Sequence, residues 1–414
     1  MTLTSHADLE SALTSELMRS DPHRVHRALR ETAPVYYSAT VGGWLVTAYD
    51  LVEEVLTDQR RFSSAGAETR FIERLDPKTA DNTATLRRHF AAPQLNTADP
   101  PDHTRIRRAF GRSFLTRDVA RYAGRIEAAA DELLSTALLA DSFDAVSSFA
   151  EPLPVRVISE IIGVPASHQD RIPIVTMDQR YFFGTVHPSE TTANHFDASL
   201  EEWHGLLSGW LRDRLVDPRD DVMTRAASVI DEGGLSLDEA IATLLHFVIA
   251  GNGTTTALIG NIIFALASHP EQLDALIAEP DLLGNCIEET LRWEAPLPRD
   301  RRIAVEETTL DGNIINKGDR VYSVLAAANR DPAHFADPDT FNIHRSFTAK
   351  HHAAFGRGIH FCLGAPVARL EAAIAVRRLL EHIPHLRLEP QFRPRWHDIS
   401  THRGLTTLPI VTAA

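Results

Sequence analysis

From Ala240 to Pro270 the chain runs without a single Asp, Glu, Lys or Arg, and this stretch constrains the fold more than any other. A run of roughly 20 uncharged residues is long enough to cross a bilayer as a helix. In water, such a helix has to be buried on every side in the core of a large protein. The centre of the run reads Gly251-Asn252-Gly253-Thr254-Thr255-Thr256, with Asn261 beyond it, where a lipid-facing helix would favour unbroken Leu, Ile and Val. The reading is a central core helix, with no membrane partner expected. Burying it takes a long chain, and 414 residues are enough for a substantial core.

No internal repeat, low-complexity tract or Pro/Gly/Ser linker divides the sequence, so a single domain over residues 1–414 is expected. An amphipathic helix is predicted from Pro22 to Thr32, followed by a hairpin of Pro34–Tyr37 and Trp44–Thr47 around Gly42-Gly43. A further helix is predicted from Asp50 to Leu56. Between Phe62 and Pro101 the pattern is irregular, which makes this segment a candidate lid. From Pro101 to Glu239 apolar residues recur at three- and four-residue spacing, as in Ile126, Ala129, Leu133 and Leu134, and predict helix after helix. Pro280–Trp293 and Pro366–Ile383 also read as helices, and Thr308–Ile314 and Asp319–Leu325 as strands. The expected class is mainly α with a minor β part.

Charge and sulfur narrow the function. With 42 Lys+Arg against 56 Asp+Glu the net charge is −14, the wrong sign for a nucleic-acid binder. Two cysteines, Cys286 and Cys362, cannot supply a disulfide framework or a four-sulfur zinc site and point to a reducing compartment. The opening residues contain no long apolar run, and a soluble cytoplasmic protein is expected.

Cys362 stands in Phe-Gly-Arg-Gly-Ile-His-Phe-Cys-Leu-Gly-Ala-Pro, residues 355–366. Pro366 fits the first turn of a helix. A cysteine just ahead of a helix N-terminus meets the positive end of the helix dipole, which favours thiolate over thiol. The glycines let the backbone turn tightly and lie close to a flat partner. The competing reading is a glycine-rich turn around an inert buried thiol, and the residues alone leave both open.

Taken together, Phe355-Gly356-x-Gly358-x-His360-x-Cys362-x-Gly364 resembles the haem-binding signature of the cytochrome P-450 family. The resemblance implies the P-450 fold, a single large helical domain around a buried haem b, with Cys362 as the iron's thiolate ligand. Such a ligand pushes electron density to the iron and favours O–O cleavage. Other segments are similar to the family along most of the chain: Asp21-Pro22, Gly43-Trp44, Asp99-Pro-Pro-Asp-His-Thr-Arg, Ala328-Asn-Arg-Asp-Pro and Arg403-Gly-Leu.

Three constellations acquire roles from the resemblance. Glu289 and Arg292, three apart on one helix face, match the family's Glu-x-x-Arg motif, and Arg345 matches the arginine that completes its ion pair, a structural role. His103 and Arg107, four apart on one face, match haem-propionate contacts, as do His360 and Arg302, with Arg299 and Arg301 as near neighbours of the last. Arg105, Arg108 and Arg112 form a basic stripe suited to an acidic electron donor. On the uncharged helix Ala250, Gly251, Asn252 and Thr254 match the oxygen-binding motif Ala-Gly-x-acid-Thr, except that Gly253 stands where the acid belongs. The reduction of dioxygen consumes protons, and a threonine hydroxyl beside a carboxylate relays them; Thr254 keeps its hydroxyl without that carboxylate.

The implied reaction is insertion of one oxygen atom of dioxygen into a small, largely apolar substrate. Electrons would come from a separate ferredoxin and its reductase, with NAD(P)H acting only through them. The missing acid leaves a peroxide-driven oxygenase as an alternative, and a non-catalytic haem protein that binds ligands is a third reading. Phe71, Phe182, His246, Phe247, Ala250 and Leu297 are the expected substrate contacts.

Overall fold

The structure is a computed structural model and describes residues 3, 5–73, 75–185, 188–347 and 351–412, with positions 70 and 71 described by backbone alone. The described residues form two compact units, each assembled from separate stretches of chain. The first comprises residues up to Phe62, Tyr122–Leu153 and the chain from Thr254 on; the second comprises Ser63–Arg121 and Pro154–Gly253.

In the first unit, Pro22–Thr32 is the helix the sequence predicts. Asp21 caps it by accepting from the Arg24 N–H, and Val25 and Leu29 are fully buried. Val35–Ser38 and Gly43–Val46 pair antiparallel, and Gly43–Val46 continues in parallel to Arg320–Ser323, which pairs antiparallel with Asp300–Ala304. Gly42 turns the hairpin at φ +71°. Gly43 is required by proximity, since a Cβ there would lie 2.8 Å from the Arg320 carbonyl oxygen. Asp300–Ala304 is a strand the sequence reading lacks. Thr308–Ile314 is a small hairpin, Thr308–Leu310 against Asn313–Ile315, where a single strand was expected. Ala365–His382 is a long helix of this unit, 18 residues.

The second unit is almost entirely helical. The stretch predicted as an irregular lid carries three short helices, Thr69–Ile72, Pro77–Asn82 and Ala84–Ala91. Each spans only four to eight residues, too few to repeat the apolar spacing several times, which is why the pattern looked irregular; Asp76 caps the second by accepting from the Thr79 N–H. Glu190–Val216 and Arg171–Gly184 supply the unit's core through Phe196, Trp203 and Phe182.

The uncharged run lies in one helix, Leu237–Ser268, 32 residues long. By length and composition it could cross a membrane, but 72% of its apolar window is buried inside the protein, as the core-helix reading requires. Its residues to Gly253 belong to the second unit and those from Thr254 to the first. Asn261, polar and buried, donates to the carbonyls of Glu294 and Arg403 at 2.9 and 3.1 Å, which offsets its desolvation.

Candidate functional site

The cysteine loop is held in a single conformation by its glycines and its anchors. Gly356 and Gly358 have φ of +69° and +67°, a region that side chains penalise. At Gly358 a Cβ would also lie 2.9 Å from the Leu56 carbonyl oxygen, so the loop rests directly on the backbone of helix Tyr49–Thr57. The Cys362 N–H donates to the Phe355 carbonyl at 2.9 Å and closes the loop. Arg357 Nη2 donates to Tyr49 Oη at 2.8 Å, and the Ala353 N–H donates to Asn329 Oδ1 at 2.6 Å. Arg369 lies 4.5 Å over the Phe355 ring and forks onto Glu288 at 2.6 and 2.8 Å.

These contacts set Cys362 three residues ahead of helix Ala365–His382, within the positive field of its N-terminus. The two cysteines therefore sit in opposite environments. Cys286 is fully buried, and burial pushes its thiol up to about 12. Cys362 is half-buried, and a Cβ on Gly364 would lie in ordinary contact with its sulfur, at 3.9 Å from Sγ.

Glu289, Arg292 and Arg345 come together as the motif implies. Arg292 donates to both carboxylate oxygens of Glu289 at 2.7 and 2.8 Å, and Arg345 Nε adds a bond at 3.0 Å. Glu289 and Arg292 are fully buried. The remaining donors of Arg292 reach the carbonyls of Asn329, Pro338 and Thr340 at 2.6–3.0 Å. Glu289 also accepts the Asn342 N–H at 2.9 Å. This pair thus braces the backbone of residues 329–342, well beyond what an exposed i,i+3 pair would do.

Arg302 is distinguished from its neighbours by burial. It is 4% exposed, and its Nη1 donates to Asp300 at 2.8 Å and to the Arg301 carbonyl at 2.7 Å. Its buried Nη2 has no hydrogen-bond partner among the described residues. Arg299 is engaged elsewhere, donating to Ser400 Oγ at 2.6 Å and lying 4.9 Å over the Tyr322 ring. Burial works against the Asp300 charge, but Arg302, the Arg301 N–H and the nearby His360 outweigh it and hold the carboxyl below its ordinary range. Asp300 was invisible in the sequence because it belongs to no motif; a carboxylate two residues from Arg302 on one strand face was the available signal.

These residues fit the haem that the motif implies. The cysteine is half-buried just ahead of a helix N-terminus, glycines with left-handed backbone shape its loop, and a buried guanidinium nitrogen has, among the described residues, no acceptor of the kind a propionate would supply.

In the second unit, His103 is buried and Arg107 half-buried on helix Asp102–Phe110. The predicted basic stripe is only partly realised. Arg105 is drawn into ion pairs with Asp102, at 2.7 Å, and with Glu239, which leaves Arg108 and Arg112 as its exposed members.

Along the central helix His246, Ala250, Gly251 and Thr254 are partly exposed where most neighbours are buried. Burial lowers His246 to about 4 and keeps it neutral at physiological pH. A Cβ on Gly251 would strike Ile158, 2.6 Å from Cδ1. At Gly253 the space of a side chain is filled by Arg180, whose Nη2 lies 1.4 Å from the position a Cβ would take. Arg180 comes from helix Arg171–Gly184, 73 residues away in sequence (253 − 180), which is why no motif revealed it.

Among the expected substrate contacts, Phe182 is fully buried in packing with Phe183 and Phe196, at centroid distances of 4.9 and 5.5 Å. Phe247 is 7% exposed and packs edge-on against Phe110 and Phe114 at 5.3 and 5.1 Å. Both are core residues. Leu297 is partly buried against an apolar cluster of the first unit. The side chain of Phe71 lies outside the described residues.

Comparison with known proteins converges on one family. The family model described as Cytochrome P450 matches residues 212–391. Cytochrome P450 107B1 of Saccharopolyspora erythraea is 37% identical over 94% of this chain and 95% of its own. Vitamin D(3) 25-hydroxylase of Pseudonocardia autotrophica is 35% identical over 99% of this chain and 98% of its own. Among solved structures, myxobacterial CYP267B1 in complex with myristic acid superposes with a TM-score of 0.87 at 31% identity, covering 97% of this chain and 99% of that one. CYP109E1 from Bacillus megaterium in complex with testosterone gives 0.86 at 29% identity, covering 97% and 100%. With a cysteine loop of this geometry and relatives named as monooxygenases and hydroxylases over nearly its whole length, the chain belongs to the cytochrome P450 family, as a haem-thiolate monooxygenase of the bacterial type.

Proposed function

We propose that residues 1–414 act as one domain that inserts one atom of dioxygen into a small, largely apolar organic molecule. The second oxygen atom leaves as water, which takes up two electrons and two protons. The electrons would come from a separate ferredoxin and its NAD(P)H-dependent reductase, and Arg108 and Arg112, exposed on an acidic protein, support an acidic donor. The cofactor would be haem b, which when bound supplies the oxygen-activating iron, and the setting would be cytoplasmic.

Cys362 would hold the iron. The observation that carries this is a half-buried sulfur ahead of helix Ala365–His382, in a loop whose left-handed glycines admit no side chain. Arg302 and His360 would hold a propionate, Arg302 through its unpaired Nη2; His103 and Arg107 carry a propionate role by the motif they match. Phe355, Gly356 and Gly364 would lie against the macrocycle on the side of Cys362. Ala250 and Gly251, small and partly exposed, would leave room beside the haem, and Thr254 would pass protons through its hydroxyl. Glu289, Arg292 and Arg345 would hold the scaffold.

The decisive test is the carbon monoxide spectrum of the reduced protein. A thiolate-type Soret band is expected in the wild type and its loss in Cys362→Ala; a wild type without the band overturns the assignment. Turnover with ferredoxin, reductase and NAD(P)H tests the electron route.

A second reading, peroxide-driven oxygenation, is favoured by one observation: the acid of the motif is absent at Gly253, and a guanidinium takes its place. Efficient coupled turnover with ferredoxin and reductase would exclude this route. Better turnover with hydrogen peroxide, moved toward dioxygen by Gly253→Asp, would establish it.

A further inference from the structure

Three histidines come together inside the second unit from three different helices, and no motif accounts for them. His89 lies on helix Ala84–Ala91, His204 on Glu190–Val216 and His246 on Leu237–Ser268. Asp197 accepts the Leu86 N–H at 2.6 Å and docks the first of these helices on the second. Three residues on, His89 Nδ1 and His204 Nε2 meet at 3.0 Å, and both rings are buried. His246 stands near enough to His89 for a charge on one to oppose a charge on the other. Burial lowers His89 to about 3 and His246 to about 4. It also lowers His204, whose charged neighbours Arg88 and Asp238 are paired with each other at 2.6 Å. At neutral pH the cluster therefore carries no charge.

In a neutral pair one ring donates and the other accepts. His204 Nδ1 is buried without a partner among the described residues, and a bare lone pair there costs less than a stranded N–H. The proton of His204 is therefore on Nε2, which donates to His89 Nδ1, and His89 in turn carries its proton on Nε2. That N–H finds no acceptor among the described residues. His246 makes no hydrogen bond among them either, and it stays partly exposed while residues 240–245 and 247–249 around it are buried. It shares a helix face with Ala250, one turn on, which the proposed site puts beside the haem. Uncharged N–H groups without acceptors, at a point a small molecule can reach, suit a carbonyl oxygen, which offers two lone pairs. A carboxylate would bring a charge that neutral imidazoles leave uncompensated.

We propose that His246, with His89 as a second donor, is a specificity-determining residue that hydrogen-bonds the carbonyl oxygen of an uncharged, otherwise apolar substrate such as a ketone, ester or lactone. His204 acts through His89 as a positioning residue, because its Nε2–H fixes which nitrogen of His89 carries the proton. This rests on the proposed monooxygenase reading and names its substrate class.

The test is isothermal titration calorimetry of the haem-loaded protein at neutral pH. The probes are matched pairs, each an uncharged carbonyl compound and its counterpart with a methylene in place of the carbonyl: macrocyclic ketones, steroid ketones and long-chain ketones. The quantity read is the affinity ratio within each pair, which cancels the contribution of the apolar body. His246→Leu should lower that ratio about fivefold for at least one pair, by weakening the ketone and leaving the hydrocarbon within about twofold. His246→Gln, which keeps a donor, should restore part of it. His89→Phe should lower the ratio as well. His204→Leu should lower it in part, whereas His204→Gln, which keeps an N–H toward His89 Nδ1, should stay close to the wild type. Ketone and hydrocarbon moving together in every pair would mean that the histidines only pack, and that result overturns the proposal. So does an unchanged ratio in His246→Leu, while an unchanged ratio in His89→Phe removes His89 and His204 from the subsite. The carbon monoxide spectrum, recorded on the same samples, separates the two levels. A missing thiolate band in the wild type sinks the monooxygenase reading, while the calorimetric ratio decides the carbonyl subsite independently.

Discussion

The cysteine loop and the centre of the uncharged helix both depend on glycine, and they depend on it for opposite reasons. In the loop Gly356 and Gly358 occupy left-handed backbone, and Gly358 also touches the Leu56 carbonyl, so glycine is demanded by the main chain itself. In the helix Gly253 has ordinary helical geometry, and the atoms that claim its side-chain space are the flexible end of Arg180. The loop is over-determined by rigid contacts. The helix centre is an exchangeable arrangement of one side chain against an absent one, and regions of that kind are where specificity can change without loss of fold.

Breaking the loop at its chemistry should have the largest effect. Cys362→Ala is expected to abolish the thiolate band of the reduced carbon monoxide complex and the oxygenase activity with it, while circular dichroism keeps the helical signal. Breaking its scaffold comes next. Glu289→Ala would leave the buried Arg292 without its carboxylate, a loss of about 3–5 kcal/mol in denaturant unfolding, with weakened haem retention.

The sharpest test of the contrast is one substitution made twice. Gly358→Ala should cost about 1–3 kcal/mol, because an alanine at φ +67° is strained and its Cβ would meet a backbone oxygen. Gly253→Ala needs only the Arg180 side chain to move and relieves a mid-helix glycine, so it should gain about 0.4–1 kcal/mol. Chemical denaturation of both variants checks the sign; equal costs would erase the distinction between the two regions.

The smallest effect concerns helix Ala365–His382, which follows the loop. Glu371 is 1% exposed, and burial raises its carboxyl well above 4.5. The native state therefore holds this proton more strongly than the unfolded chain. The two states differ little below the ordinary carboxylate range, and stability is lost as pH rises from there toward the native value. Glu371→Gln should raise thermal stability at about pH 8 and change it little near about pH 5. A pH-independent shift would show that packing, not the proton, is responsible.

The elements legible in the sequence were those with a long period or a local signal. Pro22–Thr32, the Gly42-Gly43 hairpin, Leu237–Ser268 and Ala365–His382 needed only apolar spacing, a cap or a turn residue. The helices between Thr69 and Ala91 were too short to show a period, and Asp300–Ala304 shows no alternation because it begins Asp-Arg-Arg. At the site, the residues of motifs came forward, and those that act on them from elsewhere did not. Asp300 beside Arg302 and Arg180 over Gly253 carry no pattern of their own.

By itself the sequence determined the class of fold and, through its resemblance to the family, which loop presents Cys362 and that the acid before Thr254 is missing, because each is written in contiguous residues. The tertiary structure decided which arginine of the 299–302 cluster is buried with a donor to spare, which aromatic side chains belong to the core, and what fills the space above Gly253. These outcomes depend on side chains far apart in sequence competing for the same volume, and that competition is resolved only when the chain packs.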